Sequence, residues 1–141
     1  MLAQNFKTPA DLGLIDAEFE ALLKVLGMLE REELIHLPVK VKDWHSDNLP
    51  KKHRDNWFHM NCWIWKADCG TVRCMGGWAE AIMGQAFHNK TPEREALFFP
   101  GRIREKNTYD ATPGQAAIAL RNYLTFGQAR WSEALRITAH C

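Results

Sequence analysis

Three threonine–proline pairs punctuate the chain, at Thr8-Pro9, Thr91-Pro92 and Thr112-Pro113. A threonine just before a helix accepts a hydrogen bond from an orphan backbone N–H of the first turn, and proline suits the first helical position, where no N–H is needed. Asp11 places a carboxylate in the first turn of the first segment, Glu93 does so in the second, and Gln115 completes a capping box with Thr112 in the third. A chain that opens three segments in this way is expected to be mainly α. Asp16 is expected to cap a longer helix running to about Leu34 or Ile35. Its inward stripe is Phe19, Leu22, Leu23, Leu26 and Leu29, while Glu18, Lys24, Glu30 and Arg31 stay in water. Glu20 and Lys24 stand at i,i+4 in the favourable order.

A further helix is expected from Thr71 to about residue 84, with Cys69-Gly70-Thr71 as its turn and N-cap. Met75, Trp78, Ala79, Ile82 and Met83 form a core-facing stripe on it, with Trp78 as a core anchor. Gly76 and Gly77 cost about 1 kcal/mol each in a helix, which points to a close backbone neighbour. The last two helices run from Pro113 to about Thr125 and from Gln128 to about Thr138. Ala117, Leu120 and Leu124 face inward on the first, and Trp131, Ala134, Leu135 and Thr138 on the second, with Gly127 as the left-handed residue between them. Residues 38–66 differ. Val39-Lys40-Val41-Lys42 alternates with period two, Phe58, Met60, Cys62 and Ile64 form an alternating apolar face, and a polar, turn-rich stretch from His45 to Asn56 separates them. A small two-stranded β-ribbon fits this pattern; a short helix over Trp57 to Trp65 fits almost as well.

The expected architecture is one domain over residues 1–141, a mainly α helical bundle of about five or six helices with a small two-stranded β-ribbon. Hydrophobic residues at 46% and charged residues at 25% fit a folded chain rather than a disordered one. The 18 Lys and Arg against 17 Asp and Glu give a net charge of +1, which excludes a strongly basic nucleic-acid coat and an acidic nucleic-acid mimic. No apolar run approaches the length of a membrane span, and Met1 to Lys7 lacks a signal-peptide core. A cytoplasmic protein with no membrane association is expected.

Residues 57–79 carry the most specific pattern: Phe58-x-Met60-x-x-Trp63, then Cys69-Gly70-Thr71-x-x-Cys74-x-x-Gly77-Trp78-Ala79. These residues resemble a group of small uncharacterised phage and bacterial proteins, and Gly127 through Ala134-Leu135 loosely resembles the helix that ends many of them. The resemblance covers about a fifth of the chain. It implies a shared fold and names no reaction. Cys62 and the run Trp63-Ile64-Trp65 as such are not part of that pattern.

Four cysteines, at 62, 69, 74 and 141, are not expected to form a disulfide framework in a chain without an export signal. His59, Cys62, Cys69 and Cys74 are the right inventory for tetrahedral zinc, but only His59 and Cys62 are closely spaced. Cys62 and Cys74 are therefore read as small buried hydrophobes, and no metal or other cofactor is expected. Cys69 precedes an expected helix N-terminus, which favours a thiolate. Asp68-Cys69-Gly70 is faintly similar to papain-like cysteine peptidases, yet His59, His88 and His140 as candidate bases sit in no companion motif.

Six tryptophans are a heavy load for 141 residues. Trp57, His59, Trp63 and Trp65 would share one face of a strand, opposite the apolar core face, with Lys51, Lys52, His53 and Arg54 beside them. The first expectation is thus a non-enzymatic interaction protein of phage or prophage type that meets a protein partner through residues 57–65. A small thiol enzyme or zinc protein centred on Cys69 and Cys74 with His59 is the alternative. Single-stranded nucleic-acid binding through the basic and aromatic stretch 51–65 is a further one, weakened by Asp43, Asp47 and Asp55.

Overall fold

Each threonine–proline pair opens a helix in the computed structural model, which describes residues 5–37, 54–60, 65–67, 70–99 and 111–136. In α1 (Pro9–Leu12), Thr8 Oγ1 accepts from the Asp11 N–H at 3.2 Å and Asp11 Oδ2 accepts from the Thr8 N–H at 3.3 Å. The capping box that precedes α5 (Pro113–Phe126) has the same form, with Thr112 and Gln115 exchanging bonds of 3.1 and 3.0 Å. Thr91 caps α4 (Pro92–Phe98) through the Arg94 N–H. Gly127, at φ +80°, ends α5 in the left-handed region as expected. The following helix, α6 (Trp131–Arg136), starts later than Gln128, because Arg130 also adopts a left-handed backbone at φ +52°. Thr138 lies outside the described residues.

The longest helix, α2 (Asp16–Glu30), departs from expectation at both ends. Its N-cap is Ile15 rather than Asp16, and it stops four residues before Leu34. The stop is a Schellman motif: the Glu32 N–H donates to Leu29 O and the Glu33 N–H to Met28 O, with Glu32 at φ +59° where glycine is usual. The chain then enters β1 (Ile35–His36).

Three more short strands, β2 (Trp57–Phe58), β3 (Trp65–Ala67) and β4 (Gly70–Arg73), complete a sheet of order β1-β2-β4-β3. β1 and β4 both run parallel to β2, and β3 is antiparallel to β4. This replaces the two-stranded ribbon: Trp57 and Phe58 are strand rather than helix, with neighbours on both sides. Val39 to Lys42 lie outside the described residues. Thr71 is likewise not a helix cap but a mid-strand residue opposite Lys66. The β-branched Thr71-Val72 pair fits a pleated surface, and β4 has a partner on each side to hold it there. The helix begins after it as α3 (Met75–Met83), where Cys74 Sγ accepts from the Gly77 N–H at 3.5 Å.

Six helices and this short sheet make the described residues mainly α. α2 packs against α3 and α5, and α5 also packs against α4 and α6. Leu22, Val25, Leu26 and Leu29 from α2 meet Met75 and Ala79 from α3 and Leu120 and Leu124 from α5 in one hydrophobic cluster. Trp131 closes it from α6, its Nε1 donating to Ala96 O and Leu97 O.

Glu18, expected in water, is fully buried. One carboxylate oxygen accepts from the Ile15 N–H at 2.9 Å and the other from the His88 N–H at 2.6 Å. Burial is tolerated because each oxygen meets a backbone donor that has no other partner in regular structure. Glu18→Ala leaves both donors unsatisfied, so chemical denaturation should show a loss of about 2–4 kcal/mol, with Glu18→Gln losing less.

Tyr123 on α5 is also fully buried, and its hydroxyl has no hydrogen-bond acceptor. Burial pushes its phenol up to about 12, although the nearby Arg94 charge pulls the other way. A native pKa above the unfolded value of about 10 means that the folded state keeps a proton the unfolded state releases. The stabilisation is complete below pH 10 and is lost between pH 10 and 12, by up to about 2–3 kcal/mol. Tyr123→Phe should be nearly neutral at pH 7 and should flatten this alkaline slope in denaturation curves recorded across that range.

Candidate functional site

The segment with the distinctive residue pattern folds as β2, β4 and the start of α3. Trp57, Phe58, His59 and Met60 are buried one after another. A strand paired on both edges and covered on both faces reads as a continuous buried run, not as an alternating one. The expected aromatic face is therefore corrected: Trp57, 4% exposed, and His59, 2% exposed, do not present a surface. The His59 N–H donates to Arg73 O at 3.2 Å, and its ring lies 6.0 Å from that of His36.

A hydrogen bond joins the sheet to the helix behind it. Trp78 Nε1 donates to Trp57 O at 3.2 Å, and Trp78 itself is 8% exposed. Two arginines lie outside these two tryptophans. The Arg54 guanidinium stands 5.8 Å from the Trp57 ring centroid, and that of Arg73 stands 5.1 Å from the Trp78 ring centroid. Both arginines are partly exposed. The face is framed by short tethers: Thr71 Oγ1 donates to Asp55 Oδ1 at 3.3 Å, and Asn56 Nδ2 donates to Glu33 O at 2.7 Å. Stacking over a ring fixes the position of a long, flexible cation and lowers the entropy lost when it meets a partner.

The remaining candidates divide as follows. Lys51, Lys52, Cys62, Trp63 and Cys69 lie outside the described residues. Trp65 is in β3, in register with Val72, and Gly70 starts β4 opposite Ala67. Of the four candidate zinc ligands, His59 and Cys74 are described, and both are buried. Cys74 uses its sulfur to cap α3, and Gly77 and Trp78 are buried in the first turns of that helix. Among the described residues no three His, Cys, Asp or Glu side chains stand together as a metal site. His88, a candidate base, is on the surface, with its Nδ1 4.0 Å from Glu18 Oε2. His140 lies outside the described residues.

Sequence reasoning named Arg54 and Trp57 but missed Arg73. Its signal was its place five residues before Trp78, which brings a cation from the end of β4 over an indole on the first turn of α3. No protein-family model matches this chain, and comparison with curated proteins and with solved structures finds no match.

Trp78→Phe keeps most of the apolar area and deletes the donor to Trp57 O. It should lower stability by about 1–3 kcal/mol in denaturant titrations.

Proposed function

We propose that the chain is a non-enzymatic interaction protein of the phage type that docks on an acidic patch of a protein partner through its arginine–tryptophan face. The observation that carries this is the pairing of two partly exposed arginines, Arg54 and Arg73, with the two linked indoles of Trp57 and Trp78. Arginine is among the residue types most enriched at binding hot spots, and each guanidinium presents a planar fork that fits a carboxylate. The buried indoles of Trp57 and Trp78 back the two cations and do not themselves meet the partner. Among the described residues neither arginine forms an ion pair, so its charge is available. The likeness of Phe58 to Ala79 to small phage and bacterial proteins supports the phage setting.

A protein partner is favoured over single-stranded nucleic acid because exposed Asp55 sits beside Arg54 and the chain as a whole carries only +1. Charge reversal tests the face. Arg54→Glu/Arg73→Glu should keep the wild-type melting temperature to within a few degrees and weaken the proposed partner complex by about tenfold or more, measured on partners crosslinked at this face. Unchanged partner binding by the double variant refutes the proposal. Tight, salt-dependent binding of the wild type to an oligothymidylate would put nucleic acid in the place of a protein partner.

A further inference from the structure

A third arginine, Arg94 on α4, is placed very differently from Arg54 and Arg73. It is 2% exposed, and neither its Nε nor its Nη1 has a hydrogen-bond acceptor. Among the described residues it forms no ion pair. Its guanidinium lies 4.7 Å from the Phe87 ring centroid and 5.9 Å from that of Phe98. A buried cation with unmet donors is a poor device for stability: an apolar side chain of the same shape would serve the core better. What such a group lacks is an acceptor bearing negative charge.

Arg94 lines a cleft of about 310 Å³ together with Glu80, Phe87, Lys90, Phe98 and Phe99, among others. That volume is at the lower end of the range for small-ligand sites. The walls are of two kinds. Phe87 and Phe98 pack at 5.0 Å between centroids, tilted by 57°, and with Phe99 they form an aromatic side. Arg94 and exposed Lys90 supply positive charge. Glu80, whose Oε2 accepts from the Phe87 N–H at 3.2 Å, and Glu95 also line the cleft. The two carboxylates balance the two cations of the lining, so a phosphate or any multiply charged anion meets net repulsion, while a single carboxylate held directly at Arg94 gains its local, unmatched donors.

We infer that this cleft binds a single carboxylate carried on an apolar body of about the size of a phenyl ring, with the carboxylate on Arg94 and the body against Phe87, Phe98 and Phe99. The C-terminal residue of a polypeptide and a free small acid share this chemistry. Nε and Nη1 are closed to solvent and unpartnered, and the guanidinium they belong to lines the cleft beside the half-buried Phe87 ring. The site shares no residue with the arginine–tryptophan face and stands or falls independently of it.

Calorimetric and NMR titrations of the full chain with 3-phenylpropanoate, its neutral amide, inorganic phosphate and a blocked peptide ending in phenylalanine, as free acid and as amide, test the inference. The acids should bind saturably and at least about tenfold more tightly than the amides, and phosphate should not bind. Arg94→Met should melt at or above the wild-type temperature and lose acid binding. Lys90→Glu, a change at an exposed position, should fold normally and weaken acid binding severalfold. Tighter binding of the peptide acid assigns the site to a chain terminus, and tighter binding of the small acid assigns it to a free ligand; either supports the inference. It is overturned by equal binding of acid and amide, by phosphate binding as well as the acids, by the absence of saturable binding, or by unfolding of Arg94→Met, which would make Arg94 structural.

Discussion

The carboxylate of Glu18 ties the start of α2 to the His88 N–H, 70 residues further along the chain. α2 is the helix that both α3 and α5 pack against, so its position governs the core. The link through Glu18 sets where the chain leaves α3 and approaches α4, and therefore where Phe87 and Arg94 come to lie. A buried carboxylate is favourable only with both oxygens satisfied, and its two donors come from segments that meet only in the folded state. The contact thus rewards the native arrangement and leaves other compact arrangements with an unmet charge.

What was legible in the sequence was local. The Thr8, Thr91 and Thr112 caps depend on residues three positions apart, and the structure forms all three. The stripe Met75, Trp78 and Ala79 likewise points inward, since helical periodicity places those side chains together whatever surrounds them. The departures are one of local backbone conformation and two of tertiary pairing. α2 ends short of the expected Leu34 because Glu32 takes the left-handed closing position with no glycine to announce it. Thr71 has the side chain of a good capping residue, but strand pairing on both sides of β4 holds it in the sheet. Glu18 was assigned to water because nothing near it in sequence reveals a backbone donor 70 residues away.

The candidate site was half legible for a related reason. Arg54 and Trp57 are three residues apart, so their proximity is legible in the sequence. Trp57 is buried where an exposed aromatic was expected, because period-two alternation assumes a strand with one solvated face, and β2 has none. Arg73 joins the face only because β4 runs parallel to β2 and leads directly into α3, a topology that two-residue strands do not encode.

The described arginines show how a near-zero net charge hides local chemistry. Arg31 pairs with Glu33, Arg121 with Glu30 through both carboxylate oxygens, and Arg130 with Glu133. These pairs lie toward the surface, where an ion pair contributes little to stability and its field is largely cancelled. Arg54, Arg73 and Arg94 have no such carboxylate and rest on aromatic rings alone, whereas Arg121 and Arg130 pair with a glutamate and also lie over the rings of Phe6 and Phe126. Ring stacking holds a guanidinium in place without neutralising it, because the ring has a quadrupole but no charge. The attraction left over is available to an acidic group from outside. At Arg54 and Arg73 that group can arrive from solvent on a large partner. At Arg94 it must be small enough to enter a cleft, and the same low dielectric that makes the unpaired cation costly makes the incoming carboxylate's contact strong.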